Sequence, residues 1–243
     1  MDDVGLLLRQ SGGLTDAIMQ AVDAASIIAI IRTHLTPSRD SFESPLRRFA
    51  WHCARDVAHF TRGPAHEALL EAGRLAAGLG TSSYLLAARE AARPDADTAR
   101  AVGMARCEPS AAAFLAAFHS CAANVFDAAR QSADCAAKVS FFREARIRAD
   151  VQPRTISEQP WEASRRVAEW LQRHRSELDS VEAEVRRRQA DVLRALLGVG
   201  PGRVLPFAPS LFPHIHAPTA SRSPRSAAAG SNTVHAFRHT RDS

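Results

Sequence analysis

The chain has 243 residues, 46% of them hydrophobic and 23% charged, enough to bury a core without metal or disulfide staples. Its formal charge is +5, but residues 201–243 hold five arginines against one acid, while the rest carries 26 basic against 25 acidic residues. A near-neutral body gives little reason to expect a nucleic-acid footprint on the folded part, and no apolar run reaches the ~20 residues that span a bilayer.

The basic residues are 30 arginines and one lysine, Lys138, and alanine is the commonest residue, so the chain is a helix former by propensity. An all-α multi-helix bundle is expected, with two long helices and a disordered C-terminal tail. The opening "MDDVGLLLRQSGG" has two acids where a secretory signal is basic, which points to a cytoplasmic protein.

In chain order, "LTDAIMQAVDAASIIAIIRTHL" (14–35) places Ile18, Val22, Ala25, Ile28 or Ala29, and Arg32 at helical spacing, with Thr15 or Asp16 as the cap. In "SPLRRFAWHCARDVAHFT", Ser44 is the expected N-cap and Pro45 the first helical residue. Leu46, Phe49, Ala50, Cys53, Val57 and Phe60 then form one buried stripe. A third helix, "AHEALLEAGRLAAGLG", closes at Gly78 or Gly80, and Thr81 or Ser82 caps the next. A further short helix ends before Pro109.

Residues 110–150 contain neither Gly nor Pro, so one central Ala-rich helix of roughly 60 Å is expected there. After a polar loop, Ser157 caps a second long helix to Leu197. Leu171, Leu178, Val185 and Val192 repeat in it at seven, a heptad-like seam. Gly198 and Gly200 stop that helix, and Leu205, Phe207, Leu211 and Phe212 can fold back as separate apolar anchors. The expected division is one α-helical domain over 1–213 and a disordered basic tail over 214–243.

Three stretches, "PLRRFAWHCARDVAHF", "EALLEAGRLAAGLGTSSYLLAAREAA" and "RRRQADVLRALLG" with "PFAPSLF", resemble a family of uncharacterised alanine-rich helical proteins common in planctomycetes and other GC-rich bacteria. The resemblance covers roughly residues 44–212, although "VGPGRVLP" replaces the family's Asn-Pro-Phe turn. It implies a helical fold and brings no known activity.

The sharpest chemical constellation is His52, Asp56 and His59, at i, i+4 and i+7 on one helical stripe, where two imidazoles and a carboxylate are reasonable metal ligands. No fourth ligand can be named, and the stripe flanks an apolar face where polar residues belong anyway. Cys53, Cys107, Cys121 and Cys135 lack zinc-site spacing and read as reduced packing residues. A Cys121–His119 pair has no local catalytic signature. No cofactor is implied.

The expected function is a non-enzymatic helical module that binds a protein partner or a second copy of itself. The alternatives are a nucleic-acid-associated protein using the Arg-bearing tail, and a metal-dependent helical-bundle hydrolase.

Overall fold

The computed structural model describes residues 4, 8, 11, 13–34, 39–150 and 160–199. Ten α-helices make up the described chain, and no strand occurs among these residues. They are α1 (Leu14–Gln20), α2 (Ala24–His34), α3 (Arg39–Asp56), α4 (Pro64–Ala76), α5 (Ser82–Ala91), α6 (Arg93–Thr98), α7 (Pro109–Ser120), α8 (Val125–Arg148), α9 (Pro160–His174) and α10 (Ser176–Leu197). All lie in one compact unit. The all-α bundle expected from composition is the fold observed.

α8 is the hub, packed against α7, α3, α10, α2 and α9. Its partner α7 buries Ala111, Ala112, Ala113, Ala116 and Ala117, and α8 answers with Ala128, Ala129, Ala133, Ala136 and Ala137. Side chains this small let two helices approach closely. The larger core residues come from around this pair: Phe42, Leu46 and Phe49 of α3, Ile27 and Ile31 of α2, Leu193 and Leu197 of α10, all nearly inaccessible to solvent. Burying each such side chain contributes about 1.5 to 3 kcal/mol.

Several boundaries differ from expectation, each for a local reason. The helix expected over 14–35 is two helices, because Asp23 accepts a 2.7 Å bond from Ser26 N and starts α2 afresh. Val22, expected on the buried face, sits in the break and is 78% exposed. Ser44 is not a cap and Pro45 is not a first residue, since α3 begins at Arg39 and runs through Pro45. The proline forfeits one backbone bond, and the additional turn places Phe42 fully in the core. α3 also stops at Asp56, and a 3-10 turn (Ala58–Phe60) follows, leaving Phe60 half-buried.

The turn after α4 closes on Gly78 at φ 75°, and Thr81 Oγ1 caps α5. A π-helical turn (Ala99–Gly103) links α6 to α7, and Gly103 is needed there because a Cβ would meet Ala111 Cβ at 2.3 Å.

Neither long helix is continuous. The stretch 110–150 breaks at Cys121–Asn124 into α7 and α8, and the stretch to Leu197 is interrupted at Arg175 between α9 and α10. Both α8 and α10 pack against α3, the helix carrying Phe49. On α10 the buried residues are Leu178, Gln189, Ala190, Leu193 and Leu197, the stripe of a helix seated in a bundle; Val185 and Val192 of the heptad series stay half-buried. Gly198, at φ 72°, ends α10 as expected. The Ser157 cap, Gly200, the apolar anchors and the tail 214–243 lie outside the described residues.

Candidate functional site

His52, Asp56 and His59 are not brought together. His52 is buried on α3 with its ring edge-on to Trp51, and burial, reinforced by Arg55, lowers its pKa. Asp56 is exposed at the end of α3 and pairs with Arg55 at 3.3 Å. His59 lies beyond the end of the helix, in the 3-10 turn, tilted against Phe60. The i+7 relation holds only on an unbroken helix, and α3 ends three residues too early. Among the described residues no three His, Cys, Asp or Glu side chains converge to hold a metal ion.

The thiols are covered. Burial pushes Cys53 well up, Cys121 up to about 12 and Cys135 up to about 11. Cys121 and Cys135 do not share a helix, since Cys121 falls in the α7–α8 break, where its Sγ donates to Ala68 O at 3.1 Å. His119, in the last turn of α7, has its pKa lowered to about 4 by burial and by Arg100 and Arg89. A thiol this hard to ionise beside an imidazole this weakly basic is a poor nucleophile–base pair near neutral pH.

Arginine does structural work at three helix ends. Arg47 donates through Nη1 to Ala122 O at 2.5 Å and through Nη2 to Ala123 O at 2.8 Å, closing the break after α7 from α3. Arg48 Nε donates to Ala76 O at the end of α4, and Arg194 donates to Ile18 O and Ala21 O at the end of α1. A guanidinium fork suits terminal carbonyls in both charge and geometry. The "RRR" run is likewise engaged: Arg186 bridges Asp134 and Glu182, and Arg187 and Arg188 both hold Glu184.

A cleft of about 430 Å³ lies where α8 meets α9 and the turn into α10. On α8 it is lined by Lys138, Phe141 and Phe142, at i, i+3 and i+4. On the other side Ala168, Leu171, Gln172 and Arg175 continue one stripe at i, i+3, i+4 and i+7, with Glu182 beyond. Cys107 completes the lining; its backbone is left-handed at φ 51°, and its thiol is the least covered of the four. The Arg175 guanidinium lies 6.0 Å from the Phe141 ring centroid. A second cleft, of about 480 Å³, sits between the α1–α2 turn and α10, but its Arg186, Arg187 and Arg194 are all held by carboxylates.

Sequence reading missed the first cleft. Its one signal was the chain's single lysine standing three and four residues before a Phe-Phe pair, and the facing wall comes from a helix some thirty residues on.

No family model matches the chain, and neither a curated protein nor a solved structure is detectably similar to it. The resemblance of residues 44–212 therefore rests on the three stretches that carry it. Among the described residues no helix is long and apolar enough to cross a membrane.

Proposed function

We propose that the chain is a non-enzymatic helical interaction module whose first partner is a second copy of itself. The observation that carries this reading is the surface of α5 and the turn before it. α5 buries one large apolar residue, Leu85, and turns Tyr84 and Leu86 outward, with Tyr84 66% exposed; Leu79, in the preceding turn, is 68% exposed. A tyrosine with an apolar body and a polar tip is a common anchor in protein interfaces. The covered thiols and the weakly basic His119 support a binding role over a catalytic one.

Light scattering on the full chain, from about 1 µM to about 1 mM, spans the affinities of such assembly. The molar mass is expected to rise with concentration, and Leu79→Ser with Tyr84→Ser to hold the chain at monomer mass with its melting temperature unchanged. A wild type that stays monomeric throughout rejects the reading.

A further inference from the structure

The cleft between α8, α9 and α10 joins an apolar wall to unbalanced positive charge. Phe141, Phe142 and Leu171 supply the wall. Its one carboxylate, Glu182, is taken by Arg186, whose Nε and Nη2 both donate to Glu182 Oε1, at 3.1 and 2.6 Å. Lys138 and Arg175 have no carboxylate partner among the described residues. Counting Arg186 with the two carboxylates it bridges, Asp134 and Glu182, the group keeps one net positive charge, which a monoanion neutralises. The volume is that of a small-molecule site, and a few polar groups on an apolar lining fix orientation in such sites.

We infer that this cleft binds a small amphipathic carboxylate, its hydrocarbon body against Phe141, Phe142 and Leu171 and its anionic head held by Lys138 and Arg175. Gln172 offers a further amide donor on the same wall. An ammonium and a guanidinium each make charge-assisted bonds to a carboxylate, and the apolar wall discriminates against anions with no hydrocarbon to bury. No residue of α4 or α5 takes part, so the failure of self-association leaves this inference standing, and the reverse holds too.

Cys107 provides the readout, because it lines the cleft while Cys53, Cys121 and Cys135 are buried. The full chain is titrated with decanoate by calorimetry, and N-ethylmaleimide labelling of each thiol is followed by mass spectrometry with and without it. Decanoate is expected to bind saturably and to slow Cys107 labelling about tenfold, with affinity falling about fourfold for each methylene removed. Decanol and decyltrimethylammonium, with the same tail and no anion, are expected to protect poorly, as is acetate, with the anion and no tail. Lys138→Gln and Arg175→Gln, both at exposed positions, are each expected to weaken decanoate about fivefold while leaving decanol unchanged. The inference is overturned by an absence of saturable decanoate binding, by decanol protecting Cys107 as well as decanoate, or by a double variant that keeps wild-type affinity in a folded chain.

Discussion

Two junctions, α7–α8 and α9–α10, look alike in sequence and are built in different ways. Neither contains glycine or proline, and each lies within a stretch that reads as one long helix. At Cys121–Asn124 the chain leaves the helix, and the groups this frees are met from elsewhere: Arg47 takes the Ala122 and Ala123 carbonyls, and Asn124 Oδ1 accepts from Phe126 N and Asp127 N to start α8. At Arg175 the dihedrals stay helical, at φ −54° and ψ −41°, and the neighbouring ties are surface ones, His174 to Glu177 at 2.8 Å and Arg148 to Glu177 at 3.4 Å. One break is closed by a buried guanidinium from another helix, and the ties at the other are part-exposed ion pairs at the surface. The same helical pattern therefore hides two junctions of different construction, and their stabilities are expected to differ accordingly.

The sharpest way to break that contrast is Arg47→Met. It removes both donors from the α7 end and leaves the buried Ala122 carbonyl without a partner, a loss of about 2 to 3 kcal/mol. In a chain of this size that is roughly 4 to 12 °C in Tm, readable by calorimetry. Arg47→Lys is expected to recover only part of it, since a single ammonium does not reproduce the fork that spans two carbonyls.

The next effect is pH-dependent and belongs to the same junction. The His119 pKa falls from an ordinary 6.5 to about 4 in the folded chain, so protonation favours the unfolded state. The stability this confers is complete above pH 6.5 and is lost as the pH falls toward 4. Melting curves of wild type and His119→Gln are expected to diverge across that window, with the variant the flatter. His52, lowered by burial on α3, acts with the same sign and keeps the flattening partial. Superimposable slopes for the two proteins would show that His119 is open to water.

These features also mark where the sequence could be read. The stripe Leu46, Phe49, Ala50 and Cys53 is buried as its spacing requires, and Gly78, Thr81 and Gly198 close or open helices as their chemistry suggests. Such signals are local. The α7–α8 break was illegible because its holder, Arg47, is 75 residues from the carbonyl it binds, and an asparagine within an Ala-rich run is no breaker by propensity. Lys138, Phe141 and Phe142 read as one more helix face, since the wall opposite comes from α9. His52 and His59 failed as a pair for a related reason: periodicity assumes the helix continues, and α3 ends at Asp56.

Asn124→Ala tests the local half of the buried junction. The cap satisfies two amides at the start of α8, and its removal is expected to cost about 1 kcal/mol by urea unfolding. Asn124→Asp should be nearly neutral, because the carboxylate accepts the same bonds and favours a helix N-terminus. A loss equal to that of Arg47→Met would mean that the cap and the guanidinium act as one unit, and the double variant would then cost no more than either alone.

The smallest effect is expected at the other junction. Glu177→Gln discharges the ties to both Arg148 and His174, yet all three side chains are a third exposed or more, so water and salt already screen them. The change should be below about 0.5 kcal/mol and should vanish at about 1 M salt. If the interruption at Arg175 were instead held by Glu177, its loss would let α9 and α10 merge or swing, and the unfolding midpoint would move at high salt as well as low. A salt-independent shift above about 1 kcal/mol would place the two junctions in the same class, because the carboxylate would then be doing at the surface what Arg47 does in the core.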